Sequence, residues 1–295
     1  MTAPRQVLPG TTYLVTRRCA QRQFLLRPSE VTNEVFLYVL ALAAHRFGIQ
    51  VHAFCVLSNH FHLVVTDPDA RLPAFHQFLD SLVARALNAV HGRWEAFWAP
   101  NSFSAVALAS PADVLDKAAY VLANPVAAGL VRRGRLWPGL WSAPEKIGAG
   151  ALEARRPSHF FDPDGDLPGK VSLKLTAPPG SGSNLAFRER LTALVAEREE
   201  LAAREFPKGF LGVARVLAQD PTGSPRGVEP RRKLNPRLAA RDKWNRVQVL
   251  SRLLTFLQAY REAWVARNEG KRNVVFPAGT YLLRVAHGVP CAACA

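Results

Sequence analysis

Over the first half of the chain, short alternating runs of apolar and polar residues take turns with longer runs at helical spacing. Thr12 to Arg18 is rich in β-formers and reads as a strand, running into a basic turn that ends at Arg22. From Ser29, a good helix cap, Val31, Val35, Phe36, Val39, Leu40 and Ala43 recur at helical spacing to about Phe47, where Gly48 stops the run. Gln50–Leu57 and His60–Thr66 read as paired strands with a tight Ser58-Asn59 turn between them. A second helix is expected over Leu72–His91, its buried stripe marked by Phe75, Phe78, Leu79, Leu82, Val83, Ala86 and Leu87. Ser102–Ala109 alternates like a fourth strand. Ser110-Pro111 then opens a third helix, which runs through Val114, Leu115, Ala118, Val121 and Leu122 to Asn124, where Pro125 is expected to end it. Strand, helix, strand, strand, helix, strand, helix is the order of an α+β, ferredoxin-like fold: an antiparallel sheet with covering helices.

The distal half reads differently. After Trp141 the composition loosens into Gly, Pro and charge, so residues 1–147 are read as one domain, 148–184 as a linker and 185–295 as a mainly helical basic accessory region. Leu185–Phe206 is a charge-laced helix with Phe187, Leu191, Leu194, Val195 and Leu201 as its stripe; Glu197, Arg198, Glu199 and Glu200 read as its solvated face. Pro225–Arg246 is the most basic stretch, with Arg231, Arg232, Lys233 and Arg237, and leads into a helix carrying Trp244, Val247, Leu250, Leu254, Leu257 and Trp264 on one side. Its arginines would meet phosphates and Trp244 could stack on an unpaired base; alternatively the tryptophans are core and only the arginines see solvent.

Composition adds a partner class. Across 295 residues, 38 Lys and Arg stand against 23 Asp and Glu, and the net charge of +15 favours a polyanion, nucleic acid first, over an unpartnered solvated surface. No apolar leader and no run of ~18 apolar residues is present, so a membrane partner is not expected. The 4 cysteines are too few for a disulfide framework, which agrees with a cytoplasmic, nucleoid-associated place. The C-x-x-C of Cys291 and Cys294 is weak evidence for zinc beside an incidental tail.

The chemistry gathers on Ser58-Asn59-His60-Phe61-His62-Leu63-Val64-Val65. Strand alternation sends His60 and His62 to one face and Phe61, Leu63 and Val65 to the other. Two neutral imidazoles one pleat apart can converge on a cation, or form a paired surface or core pair satisfied by hydrogen bonds. On the third helix, Asp113, Asp116, Lys117, Tyr120 and Asn124 share a polar stripe at offsets of three and four. Tyr120 thus lies outside the apolar stripe, and Asn124 projects one turn beyond it, unless it serves only as a terminator before Pro125.

A His-x-His strand followed by a helix with Tyr120-Val121-Leu122-Ala123-Asn124-Pro125-Val126, after Tyr13-Leu14-Val15-Thr16-Arg17-Arg18 with Arg22 and Phe24, resembles the single-tyrosine transposases of the HUH class. The resemblance is greatest to the REP-associated tyrosine transposases related to the IS200 group, and covers residues 10–145. It implies that His60, His62 and Asn124 hold Mg2+ or Mn2+ and that Tyr120 is the nucleophile. The DNA-contacting set is then expected to be Arg17, Arg18, Arg22, Lys117, Arg231, Arg232, Lys233, Arg237 and Trp244. The implied activity is cleavage and rejoining of single-stranded DNA at hairpins through a 5′-phosphotyrosine link. A single nucleophile cuts one strand at a time, so joining two ends implies a homodimer or successive turnovers. Two other readings stand beside it: a domesticated, non-cleaving binder of structured DNA, and an unrelated metal hydrolase that uses water. Many relatives carry a charged residue where this chain has Ala127 and Ala128, which bears on DNA contacts more than on chemistry.

Overall fold

The computed structural model describes residues 4–100, 102–227 and 236–294. Strand β1 (Thr11–Arg18), helix α1 (Glu30–Phe47), β2 (Gln50–Leu57), β3 (His60–Asp67), α2 (Leu72–Val90), β4 (Ser104–Leu108) and α3 (Pro111–Ala127) follow in the order expected from the pattern. Their sheet runs β2-β3-β1-β4 and all these pairings are antiparallel, so the ferredoxin-like arrangement is realised. Alternation decides the layers. Phe61 turns to the α1 side and meets Phe36 edge-on at 5.1 Å, while His62, its neighbour, turns to α3. The core lies mainly between α1, α2 and the sheet, where Val35, Phe36, Val39, Leu63, Phe75 and Leu79 are fully buried.

Helix α1 starts where Ser29 accepts from the Thr32 amide and stops at Gly48, whose φ of +68° suits glycine. Helix α3 departs from expectation at its end: it continues through Pro125 to Ala127. So late in the helix the proline costs a single backbone bond, and Pro125 and Val126 are buried.

The stretch expected as a linker, 148–184, contains an antiparallel hairpin of β5 (Leu152–Arg155) and β6 (Lys170–Leu173) packed on α1. Ala154, Phe161, Leu173 and Leu175 join the core there, and the Tyr38 hydroxyl donates to the Pro168 carbonyl at 2.7 Å. Its strands do alternate apolar and polar residues, but the surrounding glycines and prolines mask a pattern only four residues long.

Helix α4 (Asn184–Ala203) lies over α3 and buries Phe187, Leu191 and Val195. Its expected solvated face is only partly solvated. Glu199 is 6% exposed and accepts from the Gly134 amide at 2.7 Å, and Arg198 reaches back to Asp116. Leu201, expected in the buried stripe, is exposed. Beyond α4 the chain passes α5 (Val213–Leu217), adds β7 (Leu238–Ala239) parallel to β4 at the sheet edge, and continues into α6 (Lys243–Asn268) and α7 (Leu282–His287). The extension is therefore mainly helical with one strand joined to the sheet. Of α6 only Phe256 and Ala263 are buried; Trp244, Val247, Leu250 and Leu254 lie exposed. Among the described residues no helix is long and apolar enough to cross a membrane.

Candidate active site

The register of β1 on β3 builds the site. Arg18 lies opposite His60, Arg17 opposite Phe61 and Thr16 opposite His62, and paired residues share a face. Thr16, Arg18, His60 and His62 therefore stand on the α3 side. The two imidazole rings are 4.9 Å apart, close to perpendicular.

Each ring is oriented by a neighbour. Asn59 donates its Nδ2 to the Arg22 carbonyl, so its Oδ1 accepts from His60 Nδ1–H at 2.7 Å. That tautomer leaves the His60 lone pair on Nε2. His62 Nδ1 lies 2.7 Å from the Thr16 hydroxyl, and the Asn124 amide nitrogen approaches His62 Nε2 at 3.5 Å. The tautomer with its proton on Nδ1, donating to Thr16, is the one that turns a His62 lone pair toward the amide. Burial first, and the neighbouring His60 second, hold the pKa of His62 well below the usual imidazole value. A neutral ring with an inward lone pair results, which is the form a cation binds.

Helix α3 supplies the other half. Ser110 caps it by accepting from the Asp113 amide, and Pro111 occupies its first turn. One pitch separates Tyr120 from Asn124, so both project toward the sheet at the level of His62. The Tyr120 ring meets the His62 ring at 5.4 Å, edge to face, and stays 36% exposed, while Asn124 is 8% exposed. The phenol can therefore be reached from solvent, whereas the amide is enclosed. Tyr120, His62 and Asn124 are brought together, with His60 beside them. Lys117 is one turn before Tyr120, its ammonium 6.0 Å from the phenol ring and 3.2 Å from Asp116.

These residues fit a divalent cation. The two imidazoles present Nε2, and half a turn about the terminal torsion of Asn124 exchanges its Nδ2 for Oδ1, the atom a cation prefers. Among the described residues no group of three or more His, Cys, Asp or Glu is placed to hold a metal, so a cation held here would need the carboxamide as its third donor. Two nitrogens and an amide oxygen suit Mn2+ better than Mg2+ by ligand preference.

The expected DNA contacts are dispersed. Arg17 faces away from the histidines: its guanidinium pairs with Asp80 at 3.2 Å and lies 6.0 Å over Trp98. Asp80 also takes His76 Nδ1 at 2.8 Å, which makes Arg17 part of a buried network beneath the opposite face. Arg18 is on the histidine face. Arg22 donates to the Gly227 carbonyl at 3.0 Å, tying the β1–α1 turn to the returning chain. Arg237 donates to the Pro4 carbonyl, and its own carbonyl accepts from Ala107 at the sheet edge. Trp244 is 72% exposed at the start of α6. Arg231, Arg232 and Lys233 lie outside the described residues. Sequence reasoning missed Thr16 and Asn59, the orienters of the two rings. Asn59 is inside the motif, and Thr16 becomes visible only with the β1–β3 register.

No family model and no curated protein matches the chain. Among solved structures it is similar to a REP-associated tyrosine transposase bound to a REP hairpin, at 18% identity and a TM-score of 0.42, over 56% of this chain and 93% of that one. It is also similar to a candidate transposase from Deinococcus radiodurans R1, at 18% identity and a TM-score of 0.28, over 36% of this chain and 85% of that one.

Proposed function

We propose that this protein is a single-tyrosine transposase of the HUH class, cleaving and rejoining single-stranded DNA at hairpin-flanked sites, with residues 1–147 supplying the chemistry. The observation that carries the reading is the Tyr120 ring lying 5.4 Å from His62 with Asn124 on the next turn of the same helix. His60, His62 and the Asn124 amide oxygen would hold Mg2+ or Mn2+, which supplies charge neutralisation at a phosphate oxygen. The phenol oxygen of Tyr120 attacks phosphorus in line with the departing 3′-oxygen. An O–P bond to tyrosine forms and the P–O3′ bond breaks. The phenol proton passes to solvent, and the 3′-oxygen leaves as a hydroxyl after taking a proton. Because the phosphodiester is exchanged and not hydrolysed, a second 3′-hydroxyl can reverse the step without an energy source.

Thr16 and Asn59 keep the imidazoles aimed, and Arg18 and Lys117 provide positive charge at the rim of the site. The net charge of +15 supports a nucleic-acid partner, and the exposure of Trp244 on a basic helix supports stacking on an unpaired base. The test is incubation of the full chain with a single-stranded hairpin oligonucleotide and Mn2+, followed by a denaturing gel. The expected result is a slow-migrating protein–DNA adduct that disappears in Tyr120→Phe. Binding without cleavage would instead identify a domesticated DNA binder, and cutting that survives Tyr120→Phe would identify water as the nucleophile.

A further inference from the structure

One turn before the phenol, a buried carboxylate is the meeting point of three cations. Asp116 is 7% exposed, yet Lys117 reaches it at 3.2 Å, Arg198 of α4 at 2.5 Å and Arg241, just past β7, at 3.2 Å. Asp113, a turn earlier and 2% exposed, repeats the link: it accepts the Arg241 amide at 2.7 Å and the Ser110 hydroxyl at 2.6 Å. Arg241 is thus gripped by side chain and backbone, and α3 is tied to two segments that lie 82 and 125 residues further along the chain.

A carboxylate neutralised in this way makes no favourable contact with a DNA phosphate, so its placement needs another reason. The inner surface of α3 offers one. Val114, Val121, Leu122 and Val126 are buried on this helix together with Ala118, Ala119 and Ala123, and the three small side chains leave shallow ridges among the larger ones. The phenol and Asn124 nevertheless need one rotation and one height to meet His62. Ion pairs fixed from two directions add to what this apolar packing supplies, since a buried carboxylate holds its partners only within a narrow geometry even where the pairs add little stability.

We propose that Asp116 is a positioning residue for the nucleophile: through Arg198 and Arg241 it fixes the rotation and height of α3 and so holds Tyr120 against His62. The proposal rests on Tyr120 being the nucleophile. It gives the distal half of the chain a part in the reaction without any contact to DNA.

Full-length wild type, Asp116→Asn, Arg241→Gln and the double variant are compared by three measurements. These are single-turnover adduct formation on the hairpin oligonucleotide with Mn2+, hairpin affinity by fluorescence anisotropy, and hydrogen exchange of residues 117–124 without DNA. Asp116→Asn is expected to slow adduct formation by about tenfold or more, since a displacement of ~1 Å can cost ~100-fold. Affinity should stay within about twofold and exchange over 117–124 should accelerate. Arg241→Gln, altering a side chain at the exposed end of the link, should slow the reaction less and add nothing to Asp116→Asn in the double variant. Unchanged rates in both single variants overturn the proposal, as does a parallel fall in rate and affinity, which marks general damage. Should Asp116→Asn not fold, Arg241→Gln decides alone, by the same rate, affinity and exchange criteria. A wild type that forms no adduct overturns the nucleophile reading and leaves the tether to be judged by exchange, which needs no DNA.

Discussion

Buried His52 makes stability depend on pH in a direction that the structure specifies. Its ring is fully enclosed; Nδ1 donates to the Thr176 carbonyl at 2.8 Å and Nε2 accepts from the Thr66 hydroxyl at 2.7 Å. Thr66 in turn meets Thr12 at 2.7 Å, where either hydroxyl can donate, so the bonds admit both forms of the ring and burial decides for the neutral one. Burial lowers its pKa from 6.5 to about 4, outweighing the opposing effect of the Thr176 bond. Between those values the unfolded chain binds a proton that the folded protein refuses, so stability is complete above 6.5 and falls as pH falls toward 4. The expected loss is about 2 kcal/mol by pH 5 and about 3 kcal/mol by pH 4. His62 and His91 are lowered too and add to the trend, whereas Asp67, raised by burial, opposes it. His52→Gln isolates the contribution. Urea unfolding of wild type and variant at pH 7.5, 6, 5 and 4 should show their stability difference narrowing by these amounts on acidification. Parallel pH profiles would show that the ring accepts a proton inside the fold and refute the reasoning.

Two further perturbations probe the site and its cover. Thr16→Val removes the hydroxyl beside His62 Nδ1 at little change in shape; Mn2+ affinity by titration calorimetry should drop by roughly 10–100-fold, and equal affinities would mean that Thr16 does not orient the ring. Leu191→Ala opens the fully buried face of α4 and should cost about 2–5 kcal/mol in urea unfolding, against less than about 0.5 kcal/mol for exposed Leu254→Ala. Similar small losses in both would mean that α4 is not docked in solution.

Much of this geometry was legible because strands have a strict period. His-x-His with apolar partners between and after it defines a polar and an apolar side of β3, and the pair does face α3 together. Tyr120 and Asn124 were legible for the same kind of reason, one helical pitch apart. The same parity applied to β1 separates neighbours that had been grouped: Arg17 and Arg18 are adjacent, so only one can face the histidines, and register assigns Arg18. What alternation could not say is which strand would lie beside β3, and that pairing brings Thr16 to His62. The third-helix stripe misled in a different way. Asp113 and Asp116 look solvent-facing by local period yet are buried, because α4 and the chain after β7 cover them from far along the sequence, and Asn124 is enclosed against His62 of the sheet.

Helix α6 shows the converse. Its apolar positions suggest burial, but little of the described chain packs over its first half, where Trp244 and Leu254 are 72% and 65% exposed. Periodicity identifies a face and not its neighbour, so charge placement on α4 reads as solvation, while on α6 the period leaves Trp244 open between stacking on DNA and a place in the core. The burial on α4 changes how a truncation must be interpreted. Removing residues 180–295 to test for a DNA-binding accessory region also removes α4, Arg198 and Arg241, and so uncovers the outer side of the helix that carries Tyr120. Loss of cleavage in that truncation would report on helix position as much as on DNA contact. Unchanged hairpin affinity would still remove the DNA-binding role, since affinity does not require Tyr120 to be aimed. Substitutions at Trp244 in the intact chain leave the α3 cover in place and therefore separate stacking on DNA from support of the nucleophile.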